Sequence, residues 1–252
     1  MKKTIMITGA TAGFGRAIAL KFAQNGFNVI ITGRRKERLE KLEKELLKNK
    51  VKVLSLNFDV RNRSEVGTVI QKLHSEWKDI DILVNNAGLA AGLSHIDDGD
   101  IDDWDRMIDT NVKGLLYVTR AVAPLMVARN RGHIFNISSI AGKDVYENGN
   151  VYCASKSAVD TLSKAMRIDL IRHSIRVTNI APGMAETEFS IVRFKGDKEK
   201  ADAVYKGVKA LSAEDIAGVI YFCASLPEHV CINDLTITPT QQAAVGQVFK
   251  KP

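Results

Sequence analysis

A short apolar run rich in β-branched residues, "KTIMITG", ends at Gly9 and gives way to "FGRAIALKFAQNG", whose apolar positions keep helical spacing up to Gly26. The pairing recurs along the chain. "FNVIITG" precedes a charged amphipathic segment from Arg35 to about Lys50, and "VKVLSLNFDV" precedes "RSEVGTVIQKLHSEW", which reads as a third helix. "DIDILVNNAG" is a fourth strand ending in a turn, and a loose acidic stretch, "LSHIDDGDIDDWDRM", leads into helical spacing up to about Asn130. "GHIFNISSIAG", a long helix from Val151 to about Arg172, and "SIRVTNIAPG" follow. Residues 184–212 have loop and short-helix character. "SAEDIAGVIYFCASLP" then opens on a capping box, Ser212 with Asp215, and "INDLTITP" is a last strand. Strands alternating with helices imply a parallel sheet covered on both faces. The expectation is an α/β fold: a single Rossmann-type doubly wound domain over residues 1–252. Such sheets bind ligands beyond the carboxyl ends of their strands.

Several function classes lose support at once. The longest apolar stretch, "LLYVTRAVAPLMVA", is broken by Arg120 and Pro124, and the N-terminal apolar run is too short for a signal peptide core. The expected location is cytoplasmic, with no membrane partner. Cys153, Cys223 and Cys231 form no C-x-x-C pair, and five scattered histidines offer no metal-ligand spacing. No metal is expected, and Cys153 reads as a small buried thiol. The net charge of +7 invites nucleic acid, yet the densest basic stretch, "RRKERLEKLEKELLKNK", interleaves lysines with glutamates as an exposed helix does. An anionic small molecule is the more economical partner.

The loop "TGATAGFG" carries Gly9, Gly13 and Gly15 at the first strand-to-helix turn. Glycines there let backbone approach a diphosphate, and the helix start supplies amides and a favourable dipole. The lysine and Ser/Thr of a nucleoside-triphosphate loop are missing. An NAD reader places an acid near the end of the second strand; here stand Gly33, Arg34 and Arg35. Two guanidiniums can clamp a phosphate, so NADP(H) is the expected cofactor. Asp59 lies after the third strand, within reach of an adenine amino group.

"VYCASK" sets Tyr152 and Lys156 four residues apart, on one face of a helix. Taken alone the pair describes many surface helices. Taken with "TGATAGFG", "DV" at 59–60, "NNAG" at 85–88, Asn111 in "DTN", "ISS" and "PGMAET" at 182–187, in that order, the chain resembles the short-chain dehydrogenase/reductase family. The resemblance implies a general acid/base at Tyr152 assisted by Lys156. It implies Ser139, thirteen residues earlier, as the substrate-oxygen partner, with Ser138 its rival, and Asn111 supporting a water relay. It also implies cofactor contacts from Thr11, Phe14, Val60, Asn86, Ala87, Gly88, Pro182, Gly183, Ala185 and Thr187. The phenol, ordinarily near pKa 10, would be brought toward neutrality by Lys156 and the oxidised nicotinamide.

Within the family, "GRRKERL", "NNAGLAAGL", "DVYENGNVYCASK" and the C-terminal third are similar to NADP-dependent 3-hydroxy acid dehydrogenases acting on serine and L-allo-threonine. A 3-hydroxy acid needs a cation for its carboxylate; Arg193 is the candidate and Lys195 its rival. A 3-oxoacyl thioester on a carrier protein and a hydrophobic ketone are alternative substrates, and a non-catalytic NADP-binding regulator is an alternative class. The resemblance also implies that residues 184–212 shape the substrate pocket, and it implies a homotetramer in which the long helices after Asp105 and Val151 pack across a dyad.

Overall fold

The computed structural model describes residues 2–250. Seven strands form one parallel sheet in the order β3-β2-β1-β4-β5-β6-β7: β1 Thr4–Ile7, β2 Asn28–Gly33, β3 Val53–Asn57, β4 Ile80–Asn85, β5 Gly132–Ile137, β6 Ile175–Pro182 and β7 Asp234–Ile237. The chain order reverses between β1 and β4, and that switch point leaves a crevice at the strands' carboxyl ends.

Period-two alternation explains how the sheet is covered. Ile5, Ile7, Val29, Ile31, Ile82 and Val84 point to one face, where α1 (Gly13–Gln24), α2 (Lys36–Leu47) and α9 (Ala213–Ser225) bury Ile18, Phe22, Leu39, Leu46 and Ile220 against them. Met6, Ile30, Leu83 and Ile134 point to the other. There α3 (Arg63–Gln71), α5 (Leu115–Val127) and α6 (Asn150–Leu170) bring Val66, Ile70, Val118, Val122, Val159 and Met166. The strands are therefore apolar on both sides, as a two-sided parallel sheet requires.

The expected third helix is shorter than its periodicity suggests. α3 stops at Gln71, His74 is extended, and a 3₁₀ turn carries Ser75–Trp77. Leu73 and Trp77 are buried all the same, so the apolar spacing is kept while the backbone path changes. The expected capping box is present: Ser212 Oγ accepts from the Asp215 amide at 3.1 Å, and the Asp215 carboxylate accepts from the Ser212 amide at 2.8 Å.

Residues 184–212 leave the sheet and return to the same place. Glu186 N donates to Leu211 O, and Leu211 N to Met184 O, closing the base of an excursion that carries α7 (Phe189–Arg193) and α8 (Lys198–Tyr205). A hairpin near the C-terminus, β8 (Gln242–Ala244) with β9 (Gln247–Val248), has no counterpart in the sequence reading. Among the described residues no helix is long and apolar enough to cross a membrane.

Candidate active site

A cavity of about 570 Å³ opens at the switch point and runs under α7. It is lined by Gly9, Thr11, Gly13, Phe14, Arg34, Arg35, Asp59, Val60, Asn86, Ala87 and Gly88 at one end, and by Ser139, Tyr152, Lys156, Pro182, Gly183, Ala185, Thr187 and Arg193 at the other. Of the expected site residues only Gly15 and Asn111 lie behind its wall.

The loop between β1 and α1 is shaped by close approach. Gly9 has φ +67°, and a Cβ there would sit 3.0 Å from the Ala87 backbone. A Cβ on Gly15 would collide with the Gly9 carbonyl and the Asn86 amide. Asn86 Nδ2 donates to Thr8 O at 2.8 Å, and the amides of Asn86 and Ala87 both donate to Thr8 Oγ1 at 3.0 Å, which stitches the β4 exit to the loop. No side chain caps α1 and no acid occupies its first turn, so its leading amides and dipole face the cavity uncommitted. This cradle fits a dinucleotide diphosphate.

The two arginines after β2 are not equivalent. Arg35 donates twice to Thr11 Oγ1, at 3.1 and 2.8 Å, and pairs with Glu188 at 2.9 Å. Arg34 is more exposed and only 3.6 Å from Asp59. Asp59 is paired chiefly with Arg61 at 2.7 Å. Burial works against its charge, but hydrogen bonds from Arg61 and the nearby Arg34 hold its carboxyl below the usual range.

Tyr152 and Lys156 lie in the first two turns of α6, both buried. Lys156 Nζ donates to Ile137 O at 2.9 Å and stands 6.0 Å from the Tyr152 ring centroid. Burial pushes the phenol up to about 12, opposed by Arg193 and by a hydrogen bond with Ser139. Burial also pulls the Lys156 ammonium down to about 8. The expected lowering of the phenol by Lys156 is therefore absent from the chain taken by itself: desolvation outweighs every nearby charge, and the cations opposing it begin with Arg193. Ser139 faces the phenol, whereas the Ser138 hydroxyl is buried and donates to Ile180 O at 3.2 Å. Ser139 Oγ also donates to Pro182 O at 3.3 Å, and both serines line the cavity, so what distinguishes Ser139 is its hydrogen bond with the phenol. Burial raises the Cys153 thiol, leaving it a packing residue rather than a nucleophile.

Asn111 sits in a π-helical turn, Asp109–Gly114, between α4 (Ile101–Ile108) and α5. Its amide donates to Leu89 O at 2.8 Å and Ser155 Oγ at 3.0 Å, and its oxygen accepts from Leu89 N at 2.8 Å. The side chain is committed to anchoring the β4 exit loop against α6.

Arg193 turns into the cavity. Its guanidinium carbon lies 5.0 Å from the Tyr152 ring centre and 5.6 Å from those of Tyr146 and Phe189. One terminal nitrogen donates to the Tyr146 hydroxyl, while Nε is buried without a partner. Lys195, the rival, is exposed and paired with Asp100 at 3.0 Å and Asp103 at 2.8 Å, outside the cavity.

Three lining residues carry no motif signal that singles them out. Tyr146 falls inside "DVYENGNVYCASK" without an assigned role, and Glu188 directly follows "PGMAET". Gln242 closes the floor, its Oε1 accepting from Met184 N at 2.7 Å, and nothing local in "PTQQA" announces that contact.

Comparison with known proteins fits this geometry. The chain is 51% identical over 243 residues to an NADP-dependent 3-hydroxy acid dehydrogenase of Salmonella typhi, spanning 96% of this chain and 97% of that protein. It is 46% identical over 244 residues to sulfoacetaldehyde reductase 2 of Chromohalobacter salexigens, spanning 96% of each. Its fold superposes on the closed form of serine dehydrogenase complexed with NADP⁺ at a TM-score of 0.93 and 47% identity, covering 99% of this chain and 100% of that one. With the family model for short chain dehydrogenases matching residues 3–198, the chain belongs to the short chain dehydrogenase family.

Proposed function

We propose that this NADP-dependent oxidoreductase interconverts small 3-hydroxy acids, such as serine, L-allo-threonine or 3-hydroxypropionate, with the corresponding 3-oxo acids. The observation that carries the reading is Arg193: a half-buried guanidinium stacked beside Tyr152, with an unpartnered buried Nε. A cation so close to the phenol suits a substrate with an anionic group near its reacting carbon.

The nicotinamide, when bound, supplies or takes the hydride. Gly9, Gly13 and the first amides of α1 would hold the diphosphate, and Arg34 and Arg35 would hold the 2′-phosphate. Thr187, Gly183 and Lys156 face the nicotinamide end. In reduction Tyr152 gives its proton to the carbonyl oxygen as hydride reaches the carbon; oxidation reverses both transfers. Ser139 holds that oxygen, Lys156 supplies positive charge below the phenol, and Arg193 orients the carboxylate. Asn111 acts by fixing Leu89 and α6. A sulfonate, as the name of the Chromohalobacter relative implies for that enzyme, could meet the same cation.

The test is NADPH formation from NADP⁺ with L-serine, D-serine, L-allo-threonine and 3-hydroxypropionate, run beside NAD⁺ and beside 2-hydroxyethanesulfonate. Turnover of at least one 3-hydroxy acid, faster than the sulfonate and with NADP⁺ preferred, is expected. Preference for the sulfonate, or silence with all four acids, would overturn the substrate assignment. Tyr152→Phe should lose about a thousandfold or more in kcat, the scale of general acid–base catalysis, while NADPH binding stays close to that of the parent.

A further inference from the structure

Glu188 opens α7 on the rim of the cofactor cleft, and its carboxylate reaches across to the start of α2. One oxygen pairs with Arg35 at 2.9 Å and the other with Arg38 at 2.6 Å. Arg35 is in turn bonded to Thr11 of the glycine loop. Beside Glu188, Thr187 packs over Gly13, at 3.4 Å from where a Cβ on that glycine would stand. The glycine loop, the end of β2 and the pocket segment thus form a closed ring: Gly13, Thr11, Arg35, Glu188, Thr187. All five line the cavity. These contacts tie the pocket segment to the glycine loop at the cofactor end of the cavity.

We propose that Glu188 is a cofactor-retaining residue: its bridge to Arg35 and Arg38 straps the pocket segment over the dinucleotide, and the cofactor leaves only after the bridge opens. The inference rests on the dinucleotide lying in this cleft. It accounts for why one acid answers two arginines, and why Arg38, outside the cavity lining, is tied to it at all. Burial works against the Glu188 charge, yet Arg35 and Arg38 hold its carboxyl below the usual range. The pairs are about half-exposed, so the bridge is weak enough to open and salt should loosen it.

Rapid-mixing fluorescence of NADPH and NADH release separates the possibilities. Glu188→Gln and Arg38→Met should each speed release by roughly three- to tenfold, the scale of a partly exposed two-partner bridge, with little change in association rate. NADH release should be accelerated as well as NADPH release, because the strap crosses the part of the cofactor they share; NADPH carries in addition any change in Arg35's contact with the 2′-phosphate. Raising salt should speed release from the parent protein and much less from Glu188→Gln. Unchanged release rates, or acceleration of NADPH alone, would overturn the strap. Arg34→Ala is the control for the phosphate assignment: if it leaves the preference for NADPH over NADH intact, that assignment fails, while the NADH arm still decides the strap.

Discussion

Tyr152 and Lys156 are shifted in opposite directions by one cause, loss of water, because burial penalises the phenolate and the ammonium alike. A phenol at about 12 stays protonated through the neutral range and is ready to donate in reduction. Lys156, at about 8, is the first of the two to lose its proton as pH rises. The kcat/KM for reduction is therefore expected to be level at neutral pH and to fall above about pH 8, when the positive charge beneath the phenol is lost. In Lys156→Arg, whose guanidinium stays charged, that fall should disappear even though the plateau is lower. A pH–rate profile with the same alkaline limb in both proteins would remove Lys156 from the explanation. Arg193 gives a second test at this scale. A charge-assisted hydrogen bond contributes roughly 1.5–3 kcal/mol, so Arg193→Met should raise KM for a 3-hydroxy acid about ten- to a hundredfold. KM for an uncharged alcohol should change far less. Equal rises would make Arg193 a packing residue for Tyr146 and Phe189.

The elements divide into those written locally and those written at a distance. β1 to β7 and the helices between them follow from runs of "TIMI" or "NVIITG" type bounded by Gly, and from apolar spacing in segments such as Lys36–Leu47. The capping box on α9 is equally local, since Ser212 and Asp215 satisfy each other's amides within one turn. Removing it with Ser212→Ala should cost about 1 kcal/mol, measurable as a lower denaturant midpoint with an unchanged slope. Any effect on catalysis should be confined to the pocket segment, whose base is closed by the neighbouring Leu211 through its bonds with Met184 and Glu186. The motif residues were legible for the same reason: glycine positions and the four-residue step from Tyr152 to Lys156 are short-range patterns. The π-turn around Asn111, the break after Gln71, the β8–β9 hairpin and the reach of Gln242 to Met184 depend on neighbours distant in sequence. No window of the chain encodes them. The burial that raises the Tyr152 phenol in the chain alone is equally non-local, since desolvation depends on how many elements close over the ring.

At the level of the whole molecule, the cleft is formed by one chain, yet α6 carries a feature the chain does not use. Ile168 is 74% exposed near the end of α6 and Ile171 is 73% exposed just beyond it, while Leu116 at the start of α5 is partly exposed on the same side of the sheet. Other apolar side chains of these helices, such as Val118, Val159 and Met166, are buried against the sheet. Exposed isoleucines one helical turn apart form an apolar spot of the sort that subunit contacts cover. The tetramer expected from the family resemblance would place α5 and α6 across a dyad, and a contact there is what these exposed side chains would suit. The double change Ile168→Glu and Ile171→Glu would bring like charges together across that dyad without touching the core. Sedimentation should then move from a four-chain species toward smaller ones, and α6 should lose support for the helix that carries Tyr152 and Lys156. Activity is expected to fall with dilution in the variant before it does in the parent. If the parent sediments as a single chain at micromolar concentration, the pair is ordinary surface and the catalytic helix stands on its own packing.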